Sequence, residues 1–132
     1  VEQVVRYAVS EIPPEKIYMG IPNYGYDWRL PYRQGERAYS IGNEEALQIA
    51  AANNAVIQYD ETAQSPYFEY TAETDYTNHI VWFEDIRSIQ AKYGLIDKYG
   101  LRGGGYWNLR RPFMQGMIYP AYQYDIKKNV PR

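Results

Sequence analysis

Aromatic rings and polar side chains follow two apolar segments of the sequence. Residues 16–21 are short and mostly apolar, as in a buried strand, and Pro-Asn-Tyr-Gly-Tyr-Asp-Trp follows them. Residues 103–109 begin with glycines and present Trp107 and Asn108 near their far end. Sugars have apolar C–H faces and polar rims, which suit the flat, polar-tipped rings of Tyr and Trp. The two segments therefore indicate carbohydrate binding, with packing on a neighbouring loop as the alternative.

A third segment places two carboxylates where a strand passes into a helix. Residues 79–85 read His-Ile-Val-Trp-Phe-Glu-Asp. Asp85 suits the N-cap of the following helix, and Glu84 beside it is a candidate for the rim of a site. His79 is the single histidine and cysteine is absent, so neither a typical zinc site nor thiolate chemistry is expected. No cofactor and no metal are expected.

The composition excludes two other classes of function. The chain has 132 residues, and its 14 basic and 16 acidic residues are mixed, with a net charge of −2. No basic stripe is present, so a nucleic-acid partner is not expected. No apolar run approaches the roughly 20 residues that span a bilayer, so no membrane span is expected. The 16 Tyr, 3 Trp and 3 Phe favour, by number alone, ordinary core and rim positions over a sugar-binding surface.

The elements that must position these side chains separate into an outer frame and an inner block. The predicted order is a helix over 2–10, a strand over 16–21, an irregular stretch over 29–42, a helix over 44–53, antiparallel strands over 56–60, 67–71 and 79–83, a helix over 86–99 and a strand over 103–109. Ser40 or Asn43 is the expected cap of the second helix, and Gly100 suits the end of the third. Without the inner block the order is α–β–α–β, the repeat of a parallel sheet or barrel. Since two parallel strands cannot close a barrel, we expect further strands N-terminal to Val1.

Four segments, taken together, resemble family 18 of the glycoside hydrolases. Gly20–Gly25 is similar to the family's seventh-strand segment, and Gly104–Asn108 is similar to the eighth strand. Trp82–Asp85, with Ser88 and Lys92, is similar to the segment that re-enters the barrel after the chitinase-type insertion. Arg111–Gln115 is similar to a Pro-Phe-Pro-Gln run. The last run occurs in a subgroup, the bacterial spore cortex-lytic N-acetylglucosaminidases, and Met114 here replaces its second proline. The resemblance covers essentially the whole chain.

The resemblance implies an α/β fold class, the C-terminal portion of a TIM (β/α)8 barrel that carries a chitinase-type α+β insertion. Residues 1–28 would be a barrel helix and the seventh-strand segment, and residues 29–83 the insertion. Residues 84–132 would be a barrel helix, the eighth strand and a C-terminal tail. The implied location is the bacterial spore or cell envelope.

The family's activity is the retaining cleavage of β-1,4 bonds in glycans that contain N-acetylglucosamine, such as cortex peptidoglycan or chitin. The substrate's acetamido oxygen attacks the anomeric carbon while a glutamate protonates the leaving oxygen, an exception to the scheme with two enzyme carboxylates. That glutamate ends an Asp-x-x-Asp-x-Asp-x-Glu motif, which is absent from this sequence and belongs upstream of it. We therefore expect this chain to supply walls of the substrate cleft, to contain no catalytic residue and to be inactive alone. The alternative is a non-catalytic glycan-binding or structural module.

The resemblance assigns Trp107 as the hydrophobic floor of a sugar subsite and Tyr24 as a wall. Further candidates, from their position at the same rim, are Asn23, Tyr26, Trp28, Glu84 and Asn108. The expected partner is a glycan containing N-acetylglucosamine.

A pair of barrel strands without neighbours would also leave apolar side chains uncovered. The residues concerned are Ile17, Met19, Ile21 and Tyr106. Exposed strand edges invite pairing with a second copy, so a homo-oligomer is expected if the chain is expressed alone.

Overall fold

Residues 1–127 are described by the computed structural model, and they form two β-sheets and four α-helices. In chain order the elements are α1 (Glu2–Glu11), β1 (Tyr18–Pro22), β2 (Gly25–Leu30), β3 (Tyr39–Ile41), α2 (Asn43–Ala52), β4 (Gln58–Asp60), β5 (Ser65–Thr71), β6 (Asn78–Trp82), α3 (Ile86–Tyr99), β7 (Gly103–Trp107) and α4 (Met114–Gln123). A short 3-10 turn, Pro14–Lys16, joins α1 to β1. None of the helices in this part of the chain is long and apolar enough to cross a lipid bilayer.

Strands β1 and β7 form a two-stranded parallel sheet, as predicted. Ile21 lies opposite Tyr106, and Pro22 lies opposite Trp107. One face of the pair packs against the helices, in a core of Val5, Met19, Ile21, Ile89, Ile96, Leu101 and Phe113. The other face, which carries Gly20 and Gly105, is open to solvent. The sheet therefore has one helix-covered face and one bare face, on which glycines lie between the exposed rings of Tyr18 and Trp107.

The expectation that the frame strands lose their apolar neighbours is wrong in this structure. Met19 and Ile21 are 8% and 0% exposed, because α1 and α3 cover their side of the sheet. Ile17 packs against the same core. Tyr106 is half-buried, and its hydroxyl donates a hydrogen bond to the carbonyl of Gly116 over 2.6 Å. Pairing with a second copy stays a prediction, but it would have to use the bare face or the strand edges.

The inner block is a five-stranded antiparallel sheet with the order β3-β2-β6-β5-β4. Helix α2 covers one face of this sheet, in a core of Ile41, Ala46, Ala50, Phe68, Val81 and Phe83. The predicted helix and antiparallel strands are confirmed, and the sheet is consistent with a chitinase-type insertion. The cap of α2 differs from the expectation: it is Gly42, whose N–H donates to the Glu45 carboxylate over 3.0 Å.

Two strands of this sheet, β2 and β3, were not predicted. Residues 29–42 were expected to be irregular, and residues 25–28 were assigned to the barrel segment, yet β2 pairs along its length with β6. The sequence signal was weak because strand formation here depends on a partner about 50 residues away in the chain. Gly25 permits the pairing: a Cβ at this position would lie 2.6 Å from the carbonyl oxygen of Trp82.

Candidate functional site

A buried asparagine holds the ends of the two parallel strands together. The backbone N–H of Asn23 donates to the carbonyl of Trp107 over 2.7 Å. Its side-chain Nδ2 donates to the carbonyls of Asn108 and Arg111, over 2.6 and 2.9 Å. A buried amide is stable only when its polar atoms are paired, and these bonds satisfy both donors. Asn23 therefore positions the chain after β7 and does not point freely into solvent.

A second buried asparagine extends this network to the five-stranded sheet. The Nδ2 of Asn43 donates to the Oδ1 of Asn23 over 3.3 Å, and its Oδ1 accepts the backbone N–H of Glu84 over 2.9 Å. The ends of β1, β6 and β7 thus meet at the first residue of α2. These hydrogen bonds fix the position of one sheet relative to the other, at the place where the predicted site residues cluster.

A cleft of about 470 Å³ opens beside this network. Its lining residues are Asn23, Tyr24, Tyr26, Ser40, Trp107, Asn108, Arg110 and Arg111. Five of the seven residues predicted from the sequence are therefore brought together. Trp107 is 72% exposed at the end of β7, and the peptide bond that follows it is cis. A tryptophan ring this exposed presents a large flat apolar surface next to two tyrosines.

The aromatic surface continues from the cleft along β2. The ring of Tyr26 lies 5.4 Å from that of Tyr24 and 6.2 Å from that of Trp28, and Trp28 lies 6.1 Å from Tyr32. Trp28 does not line the main cleft. It lines a separate, smaller cavity of about 180 Å³, together with Tyr32, Tyr39 and charged residues of the 29–37 segment. One face of β2 and the segment after it thus carry a continuous series of rings that begins near Trp107.

Glu84 is engaged in a buried ion pair outside the main cleft. Its Oε2 lies 2.8 Å from the Nζ of Lys92, and the two side chains are 8% and 12% exposed. A carboxylate buried to this extent requires a partner of opposite charge. Glu84 also borders a shallow depression lined by Tyr24, Tyr26 and Trp82. Its part in substrate contact stays a prediction, whereas its ion pair is a feature of the fold.

Three residues of the cleft were missed by the sequence analysis: Ser40, Arg110 and Arg111. The guanidinium of Arg111 donates to Ser40 Oγ and to the carbonyls of Ser40 and Ile41, over 2.7 to 3.0 Å. The two arginines follow Asn108 directly in the sequence, and that adjacency was the available signal. Ser40 lies on β3, which pairs with β2 only in the folded chain, so no local signal pointed to it.

The single histidine belongs to a second, buried polar network within the five-stranded sheet. The Nδ1 of His79 lies 2.7 Å from the Oδ1 of Asp27, and the hydroxyl of Tyr70 donates to the other oxygen of Asp27 over 2.6 Å. The Nε2 of His79 lies 2.9 Å from the hydroxyl of Thr77. Burial, and then the hydrogen bond to Asp27, raises the pKa of Tyr70 above its ordinary value. This network ties β2, β5 and β6 together and does not reach the cleft.

These features define a segment of an α/β protein whose aromatic cleft lies where an antiparallel sheet meets a parallel strand pair. Residues 1–111 match the family model described as glycosyl hydrolases family 18. The chain therefore belongs to family 18 of the glycosyl hydrolases.

Relatives of known description agree with this assignment. The chain is 47% identical to the cortical fragment-lytic enzyme of Bacillus subtilis (strain 168), over 100% of the chain and 31% of that protein. Among solved structures, the spore cortex-lytic enzyme SleL of Bacillus megaterium QM B1551 is 47% identical with a TM-score of 0.92, over 98% of this chain and 30% of that one. A chitinase from Chromobacterium violaceum ATCC 12472 is 31% identical with a TM-score of 0.78, over 87% of this chain and 35% of that one. The chain spans about a third of the length of these relatives.

Proposed function

We propose that this chain is the C-terminal part of a barrel glycosidase that cleaves β-1,4 bonds of glycans containing N-acetylglucosamine, in cortex peptidoglycan or chitin. The observation that carries the proposal is the exposed ring of Trp107 at the end of β7, facing a cleft that Tyr24 and Tyr26 also line. A flat apolar ring among hydrogen-bonding side chains complements the face of a sugar. The expected location, by likeness to spore cortex-lytic relatives, is the bacterial spore or cell envelope.

The parallel pair supports a (β/α)8 barrel in the whole protein. β1 and β7 are parallel neighbours with helices on one face only, which is the arrangement of two adjacent barrel strands. The bare face, with Gly20 and Gly105, would then point to the barrel interior. Trp107, the last residue of β7, would lie at the C-terminal rim, where barrel enzymes bind substrates.

The proposed division of the chain keeps residues 1–28 and 84–132 in the barrel and residues 29–83 in the insertion. The pairing of Gly25 with β3 and of Tyr26–Leu30 with β6 favours a first boundary nearer residue 24. With that boundary, both crossings between barrel and insertion lie next to the Asn23–Asn43 network.

The mechanism we propose is substrate-assisted retaining hydrolysis, in which this chain supplies the cleft and not the acid. Trp107 supports the ring of the sugar whose bond is cleaved, and Tyr24 forms a wall beside it. Tyr26, Trp28 and Asn108 extend the rim, while Asn23 positions Trp107 through the backbone. Glu84 is unsuited to replace the missing glutamate, because a proton donor must be a protonated carboxyl at the glycosidic oxygen and Glu84 is paired with Lys92.

Hydrolysis of chitotetraose and of cortex fragments by the full-length protein tests this proposal. Truncation of Trp107 to alanine should lower kcat/KM at least tenfold on both, since loss of a covered aromatic ring removes about 1–3 kcal/mol and 1.36 kcal/mol is a factor of ten. The melting temperature should change little, because the ring is exposed in this chain. Binding of either glycan without turnover would support a non-catalytic module instead. Unchanged kinetics in Trp107→Ala would remove Trp107 from the site.

A further inference from the structure

The charge of the cleft differs in sign from that of the chain. The chain carries a net charge of −2, but among residues 1–127 those that line the cleft include two arginines and neither aspartate nor glutamate. Both arginines follow β7, within four residues of Trp107. The surface around the exposed ring is therefore locally positive.

Neither of these arginines forms an ion pair with an acid of the described part of the chain, residues 1–127. Among residues 1–127, neither Arg110 nor Arg111 has a carboxylate within 4.0 Å, whereas Arg29 and Arg87 each pair with an aspartate, over 3.6 and 2.7 Å. Arg111 is held by three neutral oxygen atoms of residues 40 and 41. Its charge is thus fixed in place at the cleft by hydrogen bonds to neutral groups.

Arg110 differs from Arg111 in having its guanidinium unengaged by any hydrogen bond within the described part of the chain, 1–127. Its backbone N–H donates to the Oδ1 of Asn108 over 3.0 Å, which fixes the turn from which the side chain leaves. An exposed guanidinium with free donors is suited to bind a carboxylate through two parallel hydrogen bonds. A neutral N-acetylated sugar offers no such group.

We propose that the cleft takes an anionic glycan, in which a sugar near the one on Trp107 bears a carboxylate, and that Arg110 is the residue that selects it. This inference rests on the proposed function and deepens it, since it separates carboxylated glycans of the peptidoglycan type from neutral chitin. Arg111 contributes a fixed positive charge, while Arg110 contributes the directional contact. A carboxylate from another part of the same protein is the competing occupant.

The test compares two tetrasaccharides on the full-length protein: neutral chitotetraose and an alternating tetrasaccharide of N-acetylglucosamine and N-acetylmuramic acid. The ratio of kcat/KM for the acidic substrate to that for the neutral one should fall about tenfold in Arg110→Gln, the loss of one charge-assisted contact. The change should lie mainly in KM, and Arg110→Lys should restore part of the ratio. Arg33→Gln, a change in the 29–37 segment away from the main cleft, should leave the ratio as it is. Salt should weaken binding of the acidic substrate in the wild type more than in Arg110→Gln.

Calorimetric binding of the same two tetrasaccharides keeps this inference separate from the proposed function. If neither substrate is turned over, the glycosidase proposal is overturned. If the acidic substrate still binds more tightly than the neutral one, and Arg110→Gln removes that preference, the inference stands. An Arg110→Gln variant that weakens both glycans equally, or neither, would overturn the inference. Equal weakening together with a lower melting temperature would identify an internal carboxylate as the partner of Arg110.

Discussion

The side-chain amide of Asn43 donates a hydrogen bond to the side-chain oxygen of Asn23 over 3.3 Å, and both residues are 1% exposed. Asn23 directly follows β1, and Asn43 is the first residue of α2. Through their remaining bonds the two residues also hold the backbone of Asn108, Arg111 and Glu84. The shape of the cleft therefore depends on two buried amides that do not need to touch a substrate.

Replacement of Asn43 by leucine should destabilise the full-length protein. The change leaves the Oδ1 of Asn23 and the N–H of Glu84 buried without partners, and each unsatisfied group costs about 1–3 kcal/mol. We expect a lower melting temperature and a higher KM, since the end of β7 loses its support. The matched control is Asn53→Ala at the other end of the same helix, where one side-chain bond to Ile49 is lost. A melting temperature for Asn43→Leu equal to that of the control would contradict the role of the network.

Gly25→Ala should lower the free energy of unfolding by about 2 kcal/mol, as expected of overpacking. The new Cβ would lie 2.6 Å from the carbonyl oxygen of Trp82 and 2.8 Å from the Cβ of Phe83, neither of which can rotate away. Gly94→Ala is the opposite case, because nothing lies within 4 Å of its Cβ and the position is inside α3. That change should stabilise by about 1 kcal/mol through helix propensity. Denaturant unfolding of both variants measures the contrast, and a similar effect of the two would refute the steric argument.

Glu84→Gln should destabilise by about 3 kcal/mol, because it leaves the ammonium of Lys92 buried without an opposite charge. The double variant Glu84→Gln with Lys92→Met should recover much of this loss, since both charges are then removed. Lys98→Gln, which breaks the exposed pair with Glu2, is the control and should leave the melting temperature nearly unchanged. A double variant less stable than Glu84→Gln would show that the pair is not the source of the effect.

Alkaline pH should weaken the fold in part through Tyr70. Because burial and Asp27 raise the pKa of its phenol in the folded state, the unfolded chain loses this proton first, from about pH 10 upward. Stability is therefore present below pH 10 and is lost as the pH rises above it. In Tyr70→Phe the stability at neutral pH should be lower, and the decline above pH 10 should be shallower. Melting temperatures between pH 8 and pH 11.5 measure both, with Tyr7→Phe, an exposed ring on α1, as the control. Parallel curves for the wild type and Tyr70→Phe would contradict this account.

Local signals were sufficient to predict the frame of the fold from the sequence. Helix α3 begins at Asp85, whose carboxylate accepts the N–H groups of Arg87 and Ser88, and it ends at Gly100 in the left-handed conformation, as the residue types indicated. The strands at 18–22 and 103–107 were predicted because each is a short, mostly apolar or glycine-rich run bounded by turn residues. The family resemblance rested on the same local segments, and the family match confirms it.

The sequence also predicted most of the cleft, because its aromatic residues lie at the ends of these recognisable strands. The parallel pairing of β1 with β7, which was part of the prediction, brings Tyr24 next to Trp107, and Tyr26 joins them from β2. Trp28 lies on β2 and Glu84 follows β6, and both are outside the main cleft. Trp28 lies two residues beyond Tyr26 on the same exposed face of β2, beside Tyr32, and Glu84 is held by its ion pair with Lys92.

Only the tertiary structure decided the pairing of β2 with β3 and β6, the burial of Asn23 and Asn43, and the arginine-rich wall of the cleft. Each of these features depends on groups that are far apart in the chain: Asn43 lies 41 residues from Glu84, and Arg111 lies 71 residues from Ser40. A residue's type and its neighbours indicate which backbone conformation it favours. They do not indicate which distant carbonyl or amide will satisfy a buried polar group, because that partner is determined by how the two sheets pack against each other.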